Sequence, residues 1–244
     1  MIKQGYLLAL LIPACVLPST QAVAATDNYI HRKYEAFELV VDCEKRGAAL
    51  FKATIGKDTG NQNRDIASFE KDPSIPTDCQ QTQVGYYGHG YHRGHLLGAN
   101  SAENTKSAYL ETFYMTNVLP MTRELNVGAW HYSDKIIECL RDRGRPLTVL
   151  GGPIWNGPHS SSFTVASHGV SVPSAFWKVI KQGENQIAWI MPNSRAAVTD
   201  TLPQWESTVE EIEAAIGFEV PEELDPYRNY RPDSWYNTRG CDLK

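Results

Sequence analysis

Between residues 147 and 191 the chain alternates short apolar runs with glycine and proline breaks, which limits the folds open to it. The runs 147–150, 162–172, 176–181 and 186–191 are rich in strand-forming residues. Gly151-Gly152-Pro153, Gly169, Pro173, Gly183 and Pro192 interrupt them. Upstream, 37–41 and 48–54 read the same way, and 111–119 reads as a strand ending at Pro120. Helical spacing appears twice. From Asn126 onward, Trp130, Ile136, Ile137 and Leu140 share one face until Gly144 and Pro146 stop the helix; 208–216 forms a late helix closed by Gly217. Residues 58–82 are polar and turn-rich, a long loop carrying Arg64, Phe69 and Asp72. The tail from Pro221 is proline-rich and aromatic, an irregular segment tied down through Cys241. The pattern predicts an α+β fold of mostly antiparallel strands with a few helices.

A chain of 244 residues with no repeat, low-complexity tract or long linker predicts one domain, residues 26–244. The first 25 residues read as a secretory signal: Lys3, an apolar run over 6–16, and the small-residue pattern Ala22-Val23-Ala24, with cleavage after Ala24 or Ala25. A lipidated Cys15 is the competing reading, and Pro13 fits it badly. Export implies a periplasmic or secreted protein with no membrane segment after cleavage. Signal removal leaves Cys43, Cys79, Cys139 and Cys241, a set that predicts two disulfides with three possible connectivities. Their spacings are too wide for a zinc finger. The net charge of -5 excludes a protein held to nucleic acid by overall basicity; any polyanion site must be a local patch.

Such a patch exists in Gly85-Tyr86-Tyr87-Gly88-His89-Gly90-Tyr91-His92-Arg93-Gly94-His95-Leu96, where three histidines and an arginine fall within seven residues. Arginine offers a planar, permanently charged fork for phosphate oxygens, and neutral histidine offers a base or a metal ligand. A three-histidine site for a transition metal on His89, His92 and His95 is one reading. Gly90 and Gly94 weaken the helix that would align those rings. Tyr86, Tyr87 and Tyr91 either stack on bases or pack against neighbours. The second constellation runs from Thr116-Asn117 through Pro120 to Asn126-Val127-Gly128-Ala129-Trp130. In isolation Asn126 is an ordinary helix cap and Trp130 a core residue.

Arg93-Gly94-His95 followed by Thr116-Asn117, Pro120 and Asn126-x-Gly128-x-Trp130 resembles the DNA/RNA non-specific endonucleases of the ββα-metal group. The segment from Arg64 to Phe69 and Asp72 resembles the upstream motif of that family. Val172-Pro173, Lys178, Met191-Pro192-Asn193 and residues 209–218 resemble its later strands and closing helix. The resemblance implies a ββα-metal nuclease fold and hydrolysis of DNA and RNA, without base specificity, to 5′-phosphate and 3′-hydroxyl ends. His95 would be the general base. Asn126 would bind Mg2+, with Mn2+ as a possible substitute, and waters would complete the shell. Arg93 and Arg64 would hold phosphate oxygens, and Arg123 and Arg141 would contact the substrate backbone. Asp134 falls where the family usually places a glutamate near the metal's waters; an exposed helix aspartate is the plainer reading. Glu138 stands where some relatives carry arginine, a charge that Arg141 would restore. Arg141, Arg143 and Arg145 also suit a helix C-terminus by charge alone. The larger departure is His92, where the family usually has aspartate. A decayed site of this kind implies the alternative of a catalytically weakened nucleic-acid-binding protein on the same scaffold.

Overall fold

The computed structural model describes residues 28–86, 88, 90–156, 171–221 and 229. Its centre is a seven-stranded antiparallel sheet in the order β1 (Tyr29–Lys33), β2 (Phe37–Asp42), β3 (Gly47–Ile55), β6 (Leu147–Ile154), β7 (Ala175–Gln182), β8 (Asn185–Pro192) and β9 (Glu206–Ser207). A separate two-stranded ladder joins β4 (His92–His95) to β5 (Val118–Met121). Among the described residues the α-helices are α1 (Lys106–Glu111), α2 (Trp130–Arg143) and α3 (Val209–Ile216); none is long and apolar enough to cross a membrane.

The strand alternation builds two cores, one on each face of the sheet. Phe176, Ile180, Ile187 and Trp189 belong to the larger core, which also takes in Trp130, Ile136, Ile137 and Leu140 of α2 and Leu119 and Met121 of β5. Trp177, Val179 and Ala188 point the other way and pack with Val209 and Ile212 of α3. That helix starts in a capping box: Thr208 accepts from the Glu211 backbone N–H while the Glu211 carboxylate accepts from that of Thr208. It closes at Gly217, whose φ of 81° is left-handed.

The expected strands at 37–41, 48–54, 176–181 and 186–191 are present, each slightly longer, whereas the one expected over 147–150 continues to Ile154, pairing through Gly151-Gly152-Pro153 rather than breaking there. The strand expected over 111–119 is not present. Residues through Glu111 finish α1, whose Thr105 cap accepts from Ala108 N–H; Tyr114 makes only an isolated bridge to Glu70, and the ladder with β4 begins at Val118. It then runs through Pro120, which lies opposite Arg93 in a ladder of two strands, where proline is tolerated. Apart from Ser171 and Val172, the strand expected over 162–172 lies outside the described residues, as do the segment read as a signal and nearly all of the tail beyond Pro221. Cys43 and Cys79 form a disulfide that ties the β2–β3 turn to the long loop. Cys139 is also disulfide-bonded.

Candidate active site

β4 and β5 run antiparallel, then a kinked turn over Leu125–Ala129, with Gly128 in a non-helical conformation (φ -108°, ψ -109°), leads into α2, giving a ββα unit. Three side chains fix its geometry. The Trp130 indole N–H donates to the His95 carbonyl at 2.9 Å, locking the start of α2 onto β4. The Asn117 side chain accepts from Leu97 N–H and donates to the carbonyls of Leu97 and Thr112, holding the chain just beyond His95. The Asn193 side chain accepts from Thr122 N–H and donates to the Pro120 and Pro173 carbonyls, fastening the end of β5 to the main sheet. The asparagines of the recognised motifs are thus partly scaffold. The glycines are also steric requirements. A Cβ on Gly94 would overlap Met121 Sδ, and one on Gly128 would lie 2.9 Å from Ala197 O and Val198 Cα.

His95, Asn126 and Asp134 line one cleft of about 530 Å³, together with Phe69, Val127, Trp130, His131 and Glu138. A second hollow of about 340 Å³ adjoins it across Phe69 and Asn126 and is lined by Tyr86, Tyr91, His92 and Arg93. Phe69 organises this wall. The Arg93 guanidinium lies 4.5 Å from its ring centroid and the His95 ring 5.1 Å from it. Phe113 meets the His95 ring edge-on at 4.9 Å. Arg93 also donates to Gln83 Oε1 at 3.2 Å. The chain therefore presents a pre-positioned cation and an imidazole on one strand, facing an amide at the start of α2.

Asn126 does not cap the helix. Its backbone N–H bonds to the Thr122 carbonyl, and its side-chain amide meets His92 Nδ1 at 3.3 Å. Asp134 is not a free surface aspartate either. Its Oδ1 lies 2.5 Å from Lys178 Nζ, an ammonium that is wholly buried and 3.8 Å over the Trp130 ring. Burial pushes the Lys178 amine below the ordinary lysine range, and the Asp134 carboxylate partly offsets that. The sequence signal was a lysine on an apolar strand: Phe176, Lys178 and Ile180 share the face that meets α2.

Arg141 departs from expectation. Its side chain is 4 % exposed and donates to Asp58 Oδ2 at 2.6 Å and to the Asn100 carbonyl at 2.7 Å, so it ties loops to α2 rather than facing a substrate. Arg123, Arg143 and Arg145 are exposed, Arg123 lying just before the turn that carries Asn126. Arg64 begins a short 3₁₀ turn, but its side chain lies outside the described residues. So do His89 and Tyr87, including the His89 member of the three-histidine reading. Tyr86 is buried against Met115 and Val118, with its hydroxyl on Gln81; it packs rather than offering a face for bases.

Among the described residues no group of three or more His, Cys, Asp or Glu side chains gathers as a metal cage. One amide and one charge-compensated carboxylate beside an open cleft fit instead a hard cation that keeps most of its waters.

Residues 18–226 match the DNA/RNA non-specific endonuclease family. The mitochondrial nuclease EXOG of Xenopus laevis is 29 % identical over 190 residues, 72 % of this chain and 53 % of the relative. Nuclease C1 of Cunninghamella echinulata is 29 % identical over 175 residues, 67 % of this chain and 69 % of the relative. The chain thus spans about half the length of the EXOG protein it matches. Among solved structures, a chain of the EndoG/EndoGI complex superposes with a TM-score of 0.72 at 21 % identity, covering 82 % of this chain and 88 % of that one. The ββα unit, its residue order and these matches together establish that the chain belongs to the DNA/RNA non-specific endonuclease family.

Proposed function

We propose that this protein is an exported, Mg2+-dependent endonuclease that hydrolyses phosphodiester bonds of DNA and RNA to 5′-phosphate and 3′-hydroxyl ends. The observation that carries this reading is the convergence of His95 from β4 and Asn126 from the start of α2 on one cleft, with Arg93 in the adjoining hollow. The His95 imidazole accepts a proton from the attacking water, in line with the leaving oxygen. Arg93, stacked on Phe69, holds a phosphate oxygen and offsets the charge that builds in the transition state. Asn126 would hold the cation through Oδ1, with Asp134 hydrogen-bonding its waters. The cation supplies charge neutralisation at the phosphate and the departing 3′ oxygen. Phe69, Phe113 and Trp130 wall the cleft and fix the imidazole's position. Arg64 and Arg123 are assigned further backbone contacts, which do not read bases. Support for export comes from the N-terminal signal pattern and the Cys43–Cys79 disulfide.

The test is purified mature protein incubated with plasmid and with RNA in Mg2+. Cleavage that stops on EDTA addition and in His95→Ala is expected. Retention of nucleic acid without cutting would replace this reading with a binding protein.

A further inference from the structure

The residue that departs furthest from the family pattern makes a contact that bears on the metal ligand. Asn126 Nδ2 lies 3.3 Å from His92 Nδ1. An amide nitrogen is a donor only, so this bond requires Nδ1 to be the bare, accepting nitrogen and the ring proton to sit on Nε2.

A primary amide has two nearly isosteric ends, and a metal ligand must show the correct one. Turned by a half rotation, Asn126 would point N–H dipoles at a cation and repel it. The backbone beneath it is already fixed. Asn126 N–H bonds to the Thr122 carbonyl, and Gly128, two residues on, is packed against the Ala197–Val198 backbone. What remains free is rotation of the amide, and an acceptor beside Nδ2 is what selects among its orientations. With Nδ2 bound to His92, Oδ1 is directed away from the imidazole.

We infer that His92 is the positioning residue for Asn126: its Nδ1 takes the amide hydrogen and leaves Oδ1 to the cation. The inference rests on the proposed role of Asn126. An aspartate in this place would offer a carboxylate oxygen to the same hydrogen. The imidazole is therefore a substitute acceptor rather than a mark of decay, and the chain keeps an oriented ligand although it lacks the usual carboxylate. His92 acts through Asn126, not on the substrate.

The test is Mn2+ binding to the full mature chain by calorimetry or electron paramagnetic resonance, without nucleic acid, with thermal unfolding measured in parallel. Partners that orient a ligand typically change metal affinity by about 10- to 100-fold. His92→Leu is expected to lose affinity in that range with little change in unfolding temperature, and His92→Asp is expected to restore it. In an Asn126→Ala background, His92→Leu is expected to change nothing further, because the orienting group then has nothing to orient. Unchanged affinity in His92→Leu, failure of His92→Asp to restore it, or full additivity with Asn126→Ala would each overturn the inference. If the wild type cleaves plasmid in Mg2+ while His92→Leu binds Mn2+ normally, only the positioning role falls. If the wild type neither binds Mn2+ nor cleaves, the nuclease reading falls with it.

Discussion

Replacing Lys178 with methionine isolates the buried ion pair behind the cleft. The lysine side chain is 0 % exposed and the Asp134 side chain 14 % exposed, so the pair is held almost wholly within protein. Methionine fills a similar volume with an unbranched apolar chain. The ammonium is lost, and with it the bonds to Asp134 at 2.5 Å and to Ser133 Oγ at 2.8 Å, and the contact 3.8 Å over Trp130. Removing one partner of a buried pair costs about 3–5 kcal/mol, because the remaining charge is desolvated and uncompensated. Asp134 opens toward the cleft, so water relieves part of that penalty and places the expected loss near the lower end, roughly 3 kcal/mol. For a domain of this size that corresponds to a fall of roughly 6–12 °C in unfolding temperature.

The companion variant Lys178→Met/Asp134→Asn removes both charges and is expected to recover most of the loss, since a neutral amide beside the cleft can be hydrated. Denaturant unfolding of wild type, both single variants and the double variant closes the cycle. The single lysine variant should also gain more stability from added Mn2+ than the wild type, because its carboxylate is no longer neutralised from within the wall. A loss below about 1 kcal/mol, or a double variant no more stable than Lys178→Met, would refute the claim that this pair is a coupled, buried unit.

Other perturbations separate scaffold from chemistry. Gly128→Ala places a methyl group 2.9 Å from Ala197 O and Val198 Cα, and overpacking of this kind costs about 1–3 kcal/mol. Calorimetry should show that loss, with cleavage falling as Asn126 shifts; an unchanged transition would mean the loop moves freely. Asn126→Ala should reduce cleavage by a larger fraction than it reduces unfolding free energy, and equal fractional losses would make Asn126 a structural residue only. Arg123→Ala should lower the salt slope of substrate binding by about one unit with stability retained. Arg141→Met should instead destabilise the fold through its Asp58 contact and leave the salt slope unchanged; binding and unfolding curves at several salt concentrations check both.

The central sheet was legible because its inner strands are apolar runs between glycines and prolines, and helix α2 because its buried residues keep a helical spacing. The edge strand β1 escaped notice: Tyr29–Lys33 alternates exposed and half-buried residues, with His31, Arg32 and Lys33 in sequence, so it lacks the apolar signature. The extra strand length assigned to residues 111–117 came from Phe113 and Tyr114, which in fact follow a short helix, Phe113 packing against Phe69 and His95 and Tyr114 against Tyr34. The site was legible as a set of motifs but not as a set of contacts. Arg141 sits at a helix end, where charge alone explains it, and its Asp58 partner lies 83 residues away. Nothing local marks that pairing. Lys178 entered only as part of the family resemblance, in a strand that also carries Lys181, and only the approach of α2 to β7 reveals that Asp134 is its counter-ion.

On the proposed function, the charge arrangement around the cleft explains how an acidic chain would accept a polyanion. The body carries a net charge of -5, and two carboxylates, Asp134 and Glu138, line the cleft. Lys178 neutralises the first from inside the wall, so on that reading an approaching phosphate would meet Arg93 beside a compensated carboxylate rather than a bare one. The same arrangement leaves the protein with few ligands for a cation. One amide oxygen and hydrogen bonds to coordinated water would make a weak site, with phosphate oxygens as the source of further ligands. On the proposed function, metal and nucleic acid therefore bind as linked partners, and linkage requires the factor by which each strengthens the other to be the same. Titrating Ca2+ into a complex with a cleavage-resistant phosphorothioate strand, and that strand into the Ca2+-loaded protein, measures both factors. Independent affinities would mean that the cation is held by protein ligands beyond Asn126.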